Sequence, residues 1–162
     1  MGLGKLLTSF GAAAVVNLAP VAAEADGHHN HVVLGLEANT HNAMAHGGYF
    51  REIGGHISLG GAVGLGKSFH GETVGALEAL VAYHKTLSQS VADGIFGVIE
   101  GGGGVEMVLD DLHGAHFEPV AKVTGLIGVQ VNDTLGIFGG VNYIRTPDAN
   151  HWSGSVGTVL GF

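Results

Sequence analysis

The sequence predicts an all-β protein, an antiparallel transmembrane β-barrel of about eight strands that is preceded by a cleavable signal peptide. Three observations predict this class: a leader-like N-terminus, apolar residues that alternate with small or polar ones, and a composition poor in charge. Charged residues make up 12% of the 162 residues, whereas glycine occurs 30 times. A chain of this length suits a single domain.

The composition excludes several classes of partner and site. A formal net charge of −8 argues against nucleic acid, because phosphate binding needs clustered lysine and arginine. The chain has no cysteine, so it has no disulfides and no thiolate metal sites. Its 11 histidines outnumber the 6 lysines and arginines together, which makes histidine the least usual feature of the composition.

Residues 1–25 have the organisation of an export signal. Lys5 provides a positive charge, a mostly apolar run extends to Leu18, and small-x-small cleavage sites end at Ala23 and Ala25. An N-terminal helix that stays attached is the alternative, although the run is short and interrupted for a membrane span. The predicted domains are a signal peptide at 1–25, a His-rich periplasmic segment at 26–31 and the barrel at 32–162.

Alternation along the mature chain predicts the strands. The clearest are Ile53–Leu65, Phe117–Val131 and Leu135–Tyr143, whose odd-numbered residues are mostly bulky and apolar, with Phe138 as an exception. The segment 73–87 also suits a helix, but strand is favoured because its neighbours are strands. The other predicted strands are Val32–Asn39, Asp93–Glu100, Val105–Leu109 and His151–Phe162.

The connections between the predicted strands alternate in kind. Those after strands two, four and six are short and read "KSFHGE", "GGGG" and "ND". Those after strands one, three, five and seven are longer or more polar and read "HNAMAHGGYFR", "KTLSQSVA", "DLHGAH" and "TPDANH". Short turns on one rim and longer loops on the other are typical of a transmembrane barrel, here with both termini on the short-turn side.

The direction of the apolar faces separates a membrane barrel from a soluble one. A β-sandwich or a lipocalin-like barrel would bury these faces and expose glycine, alanine and serine, which is a poor soluble surface. We therefore expect the apolar faces to contact lipid and the opposite faces to line a narrow lumen. The predicted polar network of the lumen consists of Glu37, Glu52, His56, Glu78, His84, Glu118 and Lys122.

Aromatic residues mark the two membrane surfaces in this prediction. Trp152 and Phe162 lie ten residues apart on the apolar parity of the last strand. That separation corresponds to about 33 Å of strand, or about 25 Å of height after a tilt near 40°. Tyr143 and Tyr83 lie on the apolar, lipid-facing sides of their own strands and are predicted to join the aromatic girdles.

The signal-like N-terminus, the alternating strands and the final "VGTVLGF" make the chain similar to the small Gram-negative outer-membrane barrels of the OmpA or OmpX size class. The resemblance covers about residues 31–162 as architecture. It implies export to the outer membrane, contact with outer-membrane lipid and lipopolysaccharide, and reading of the terminal Phe162 by the barrel-assembly machinery. It implies little about activity, because fold does not supply function.

The histidines raise the hypothesis of divalent-metal binding. "DGHHNH" places Asp26 beside three imidazoles, which at this spacing can bind Zn²⁺, Ni²⁺ or Cu²⁺. A solvated tail and ordinary polar loop tips are the alternatives, and His56 and His84 are expected to pair structurally with Glu52 or Glu78. The candidate ligands are His28, His29 and His31 in the tail and His41, His46, His113 and His116 in the loops, with His151, Asp110, Asp111 and Asp148 near them.

An enzymatic alternative comes from the tripeptide His151-Trp152-Ser153. It is similar to the His-x-Ser of outer-membrane lipid A deacylases, which implies that His151 would be the base and Ser153 the nucleophile. The sequence departs from that family after the motif, where Gly154-Ser155-Val156 replaces Asn-Gly-Gly, and the motif faces the lumen. A non-enzymatic barrel with a structural, adhesive or surface-binding role is therefore favoured, and conduction through the lumen is left open.

Overall fold

The computed structural model describes residues 30–88, 94–110, 114–131 and 134–161. The predicted signal peptide, His28, His29, Asp111, His113 and Phe162 lie outside the described residues. Among the residues that the structure describes, no helix is long and apolar enough to cross a membrane. The strands are β1 (Asn30–Ala38), β2 (Asn42–Gly54), β3 (Ile57–Ser68), β4 (Thr73–Ser88), β5 (Ile95–Asp110), β6 (Gly114–Gln130), β7 (Leu135–Arg145) and β8 (Asn150–Gly161).

The eight strands form one closed antiparallel barrel in sequence order. Closure is made by β1 and β8, which pair from His31 opposite Gly161 to Ala38 opposite Gly154. A closed sheet leaves no unpaired edge, which is the condition for a β-structure in lipid. The predicted antiparallel barrel of eight strands is confirmed, and the segment 73–87, predicted as a strand, lies in β4. Strand β1 begins two residues before the predicted start of the barrel.

The first error in the predicted strands concerns the segment before Leu65. The predicted loop "HNAMAHGGYFR" is mostly strand β2, and the predicted strand Ile53–Leu65 is a hairpin that turns at Gly55 and His56. Both turn residues have a positive φ, 62° and 68°, as in a tight two-residue turn. Because paired residues such as Glu52 and Ser58 have the same parity, alternation continues through the turn and does not reveal it.

The second error concerns "GGGG" at Gly101–Gly104, which is not a turn but the middle of β5. Gly102 pairs with Leu80 on one side and with Lys122 on the other. A Cβ on Gly102 would lie 2.9 Å from Leu80 Cδ2, so glycine is required here for space. The predicted fourth and fifth strands are thus one strand, and the two errors cancel in the strand count.

The two rims do not differ in the way that the sequence predicted. Counted between the ends of the described strands, the seven connections are two to six residues long, with no systematic difference between the two rims. We call the rim with Asn30 and Gly161 the terminal rim and the opposite one the distal rim. The turn Gly55–His56 lies at the terminal rim, and residues 39–41, 69–72 and 146–149 connect strands at the distal rim.

The faces of the barrel follow the predicted parity. The outer surface is a band of exposed apolar side chains, among which Ile99 and Ile127 are each 64% exposed. The inward residues of the same strands are largely buried, as Lys122, Thr124 and Leu126 show on β6. The apolar faces therefore point outward, as a barrel in lipid requires and a soluble barrel does not.

Aromatic rings fill part of the lumen by packing against glycine on the next strand. Phe50 pairs with Gly60, Phe96 with Gly128 and Phe138 with Gly157. Phe138, which breaks the apolar alternation of its strand, is 5% exposed because its ring points into the lumen. A Cβ on Gly157 would lie 2.7 Å from the Phe138 ring, so each bulky ring depends on the small residue opposite.

Candidate functional site

A buried lysine interacts with two glutamates inside the lumen and so connects three strands. Lys122 Nζ on β6 lies 2.7 Å from Glu37 Oε2 on β1 and 3.3 Å from Glu78 Oε1 on β4. The side chains of Glu37 and Lys122 are only 2% and 9% exposed. Period-two alternation directs all three side chains inward, and barrel closure brings these strands within reach of one another.

The second carboxylate oxygen of Glu37 is bound from the other side. Ser153 Oγ donates a hydrogen bond to Glu37 Oε1 at 2.7 Å, and Asn142 Nδ2 donates one to Ser153 Oγ at 2.9 Å. We call Glu37, Glu78, Lys122, Asn142 and Ser153 the lumen polar network. Glu37, Glu78 and Lys122 belong to the polar network that the sequence predicts. Asn142 and Ser153 do not belong to the predicted network, although the alternation of their strands already places them on the inward face.

The other predicted members of the network lie elsewhere. Glu118 Oε1 is 3.0 Å from a ring nitrogen of exposed His116, near the distal rim. Glu52 and His84 form a separate pair near the terminal rim, with 3.9 Å between Oε2 and Nε2. His56 is exposed in its turn and is not a lumen residue, because the hairpin ends the strand just before it.

The geometry around Ser153 bears on the enzymatic alternative. Its hydroxyl donates to Glu37 and accepts from Asn142, and both partners lie inside the barrel. His151 is the second residue of β8, at the distal rim, and in the described part of the chain no hydrogen bond joins it to Ser153. The arrangement of base and nucleophile that the His-x-Ser resemblance implies is therefore not formed here.

The predicted loop histidines do not share one environment. His41 lies exposed in the turn between β1 and β2, whereas His46, His116 and His151 belong to strands and not to loops. His46 points into the lumen, where its Nδ1 lies 3.9 Å from Glu37 Oε2. The difference follows from the strand boundaries, because the predicted first loop is mostly strand β2, and β6 and β8 begin before the predicted fifth and seventh connections end. Asp148 lies in the last turn at the distal rim, and Asp110 is the last residue of β5.

A second polar cluster lies at the terminal rim. His31 on β1, Glu52 on β2 and His84 on β4 bring one ligand atom each within 4.8 Å of one another. The His31 and His84 rings meet edge to face with centroids 5.7 Å apart, and His56 contacts His84 at the same centroid distance. We call His31, Glu52 and His84 the terminal-rim cluster. Within the described ranges, this cluster is the group of three side chains whose ligand atoms lie close enough together to hold a metal ion.

Two cavities show how the lumen is filled. A cavity of about 230 Å³ opens beside the terminal-rim cluster and is lined in part by His31, His84 and Phe96. A smaller cavity of about 30 Å³ lies beside the lumen polar network, and Phe50, Leu126 and Phe138 line both cavities. The larger cavity is therefore at the terminal rim, and the space beside Glu78 and Lys122 is smaller.

Aromatic side chains occur near both rims on the outer face. Tyr143 and Trp152 pair across β7 and β8 with ring centroids 5.0 Å apart, toward the distal rim. Tyr83 lies opposite Ile57, toward the terminal rim. Tyr49 on β2, which is not among the predicted girdle residues, lies near the same rim and donates its hydroxyl hydrogen to Asn30 Oδ1 at 2.7 Å. The predicted girdle position Phe162 lies outside the described residues.

Comparison with known proteins gives the fold a context. No protein-family model matches the chain, and no curated protein sequence matches it. The N-terminal β-barrel domain of OprF from Pseudomonas aeruginosa is similar with a TM-score of 0.67 at 11% identity, covering 83% of this chain and 97% of that one. Neisserial surface protein A is similar with a TM-score of 0.58 at 11% identity, covering 83% and 94%. The predicted resemblance to small outer-membrane barrels is confirmed at the level of the fold.

Proposed function

We propose that this chain is a non-enzymatic integral protein of the Gram-negative outer membrane with a structural, adhesive or surface-binding role. The observation that supports the proposal is the distribution of polarity, in which Ile99 and Ile127 face outward while Glu37 and Lys122 are buried inside. An outer surface of this kind is stable against hydrocarbon and aggregates in water. The proposal also includes two steps of biogenesis. Residues 1–25 would direct export of the chain, and the barrel-assembly machinery would recognise Phe162.

The interior favours a structural or surface role over conduction. The carboxylates of Glu37 and Glu78 hold Lys122 across the lumen, and the rings of Phe50 and Phe138 occupy space on the inward faces. The cavity beside the network is small, about 30 Å³, which favours a lumen that is narrow for hydrated ions. The outer band and the aromatic girdles would contact outer-membrane lipid and lipopolysaccharide, so the two rims are where a partner would bind.

Membrane fractionation tests the location. The full chain, expressed in a Gram-negative host, should be recovered in the outer-membrane fraction and should change its gel mobility on heating, as a folded barrel does. Recovery of a folded monomer in detergent-free buffer would overturn the proposal. Purified protein in a planar bilayer should show no steady conductance, and a stable open level would refute the closed lumen.

The absence of enzymatic activity has its own test. Mass spectra of lipid A from cells that express the wild-type chain or Ser153→Ala should be identical, since the Ser153 hydroxyl is held by Glu37 and Asn142. A loss of acyl chains that depends on Ser153 would contradict the non-enzymatic assignment. Comparable amounts of folded barrel in the two strains, judged by heat-modified mobility, are the control for this comparison.

A further inference from the structure

We propose that His31, Glu52 and His84 form a binding site for a divalent transition-metal ion, with Zn²⁺ as the reference ligand. The three ligand atoms lie within 4.8 Å of one another, and Glu52 Oε2 is 3.9 Å from His84 Nε2. Zinc bonds of about 2.0–2.2 Å in a tetrahedron place ligand atoms about 3.3–3.6 Å apart. Small side-chain rotations therefore close the site around an ion without a change in the backbone.

The fold explains why these residues meet. His31 is the second residue of β1, and Glu52 lies near the end of β2, on the same face two residues beyond Phe50, to which His31 is paired. The tight hairpin brings β3 in at Ile57, and the His84 N–H donates to the carbonyl of His56 at 3.0 Å. Glu52 on β2 and His84 on β4 can therefore face each other across the short β2–β3 turn that lies between them.

The composition of the cluster points to a metal ion and not to an ion pair alone. One carboxylate beside one imidazole would form an ordinary pair, whereas here a second imidazole reaches the same point from a different strand. Two imidazoles and a carboxylate suit Zn²⁺, Ni²⁺ or Cu²⁺, while Mg²⁺ and Ca²⁺ prefer oxygen ligands. All three residues are half-buried, so the cluster is shielded but accessible to an ion.

Three protein ligands leave a coordination position for water or another small ligand. His31 and His84 also line the cavity of about 230 Å³ at the terminal rim, so an exchangeable ligand has space beside them. A bound ion would join β1, β2 and β4 across the mouth of the barrel. This inference does not depend on the proposed outer-membrane role, because it rests on the side chains of the rim alone.

Calorimetric titration of ZnCl₂ into the refolded, detergent-solubilised mature chain tests the site. The wild type should bind one Zn²⁺ at this site, and MgCl₂ should produce no binding heat. Glu52→Gln and His84→Ala should each raise the Kd at least about tenfold, because loss of even a hydrogen-bond partner of a metal ligand costs that much. His41→Ala, which removes an exposed histidine at the distal rim, should leave the Kd unchanged.

A tail site must be distinguished from the rim site, because His28 and His29 precede His31 in the sequence. The double variant His28→Ala/His29→Ala should still bind Zn²⁺ with the wild-type Kd. The proposal would be overturned if this double variant no longer bound Zn²⁺ while His84→Ala still did. Absence of Zn²⁺ binding to the wild type would also overturn it. Glu52→Gln preserves the side-chain shape, so it provides the test if His84→Ala fails to show the heat-modifiable mobility of a folded barrel.

Discussion

Substitution of Lys122 by methionine tests whether the lumen polar network stabilises the barrel. Lys122 Nζ lies 2.7 Å from Glu37 and 3.3 Å from Glu78, and the side chain of Glu37 is 2% exposed. Methionine keeps most of the aliphatic volume, so the change removes the charge with little loss of packing. Glu37 then keeps the hydrogen bond from Ser153 but has lost the ammonium group that offsets its burial.

The expected loss of stability in Lys122→Met follows from the burial of the Glu37 carboxylate, which remains without its ammonium partner. Removing one partner of a buried ion pair costs about 3–5 kcal/mol, because the other charge stays desolvated. Lys67 is the matched control, since it is exposed and its Nζ binds Thr73 Oγ1 at 2.8 Å. Lys67→Met should change the free energy of unfolding by no more than about 0.5 kcal/mol. The double variant Glu37→Gln/Lys122→Met should be more stable than Lys122→Met, because one uncompensated charge is gone.

Urea titration of the barrel in phospholipid vesicles measures these differences. Fluorescence of Trp152, which is the chain's single tryptophan, reports unfolding, and heat-modified gel mobility gives an independent measure of the folded fraction. Equal losses of stability in Lys122→Met and Lys67→Met would refute the reasoning. Such a result would mean that water in the lumen solvates Glu37 well enough to replace the lysine.

Two further substitutions test the outer face and the packing of the lumen. Val156 faces outward between the girdles, so Val156→Arg should cost about 2–4 kcal/mol in phospholipid vesicles, and a neutral result by the same urea titration would contradict lipid contact. Gly157→Ala should cost about 1–3 kcal/mol in that assay, because the new methyl group would meet the Leu34 carbonyl of the next strand. Gly154→Ala on the same strand, where a Cβ meets nothing within 4 Å, should be neutral or stabilising, and equal effects of the two alanines would argue against close packing.

The parts of the fold that the sequence predicts are those that depend on parity. Side chains alternate with a period of two, so the inward direction of Glu37, Glu78 and Lys122 can be predicted without knowing which strands are neighbours. The outward direction of Trp152 and Tyr143 follows from the same rule. Once the sheet closes, charged residues on the inward faces of the strands have only the lumen in which to meet, and three of them do.

The parts that the sequence did not predict depend on where strands end. Glycine breaks strands in many proteins, so "GGGG" reads as a turn, whereas here Gly102 gives space to Leu80 in the middle of a strand. The turn at Gly55 and His56 leaves parity unchanged and so gives no signal in the alternation. The number of strands was predicted correctly only because one missed strand offset one strand that was divided in two.

The terminal-rim cluster could not have been predicted, because it depends on register between distant strands. The sequence places His31 in a tail, and it places Glu52 and His84 in a lumen network without a position along the barrel axis. The pairing of His31 with Phe50 and the short β2–β3 turn fix all three at one height. Register is set by turn length and barrel shear, which a list of alternating residues does not contain.

The glycine content can now be understood as a packing requirement of a narrow barrel. Leu80, Leu126 and Phe138 each point inward and each pair with a glycine, as do Phe50 and Phe96. Because an eight-stranded barrel has an interior only wide enough for side chains, every large inward residue needs a small one beside it. The space that a small, glycine-rich lumen face suggests is therefore occupied by the residues opposite. The inward side chains thus occupy much of the lumen, while the terminal-rim cluster borders the larger cavity, so the terminal rim is where ligand binding should be tested first.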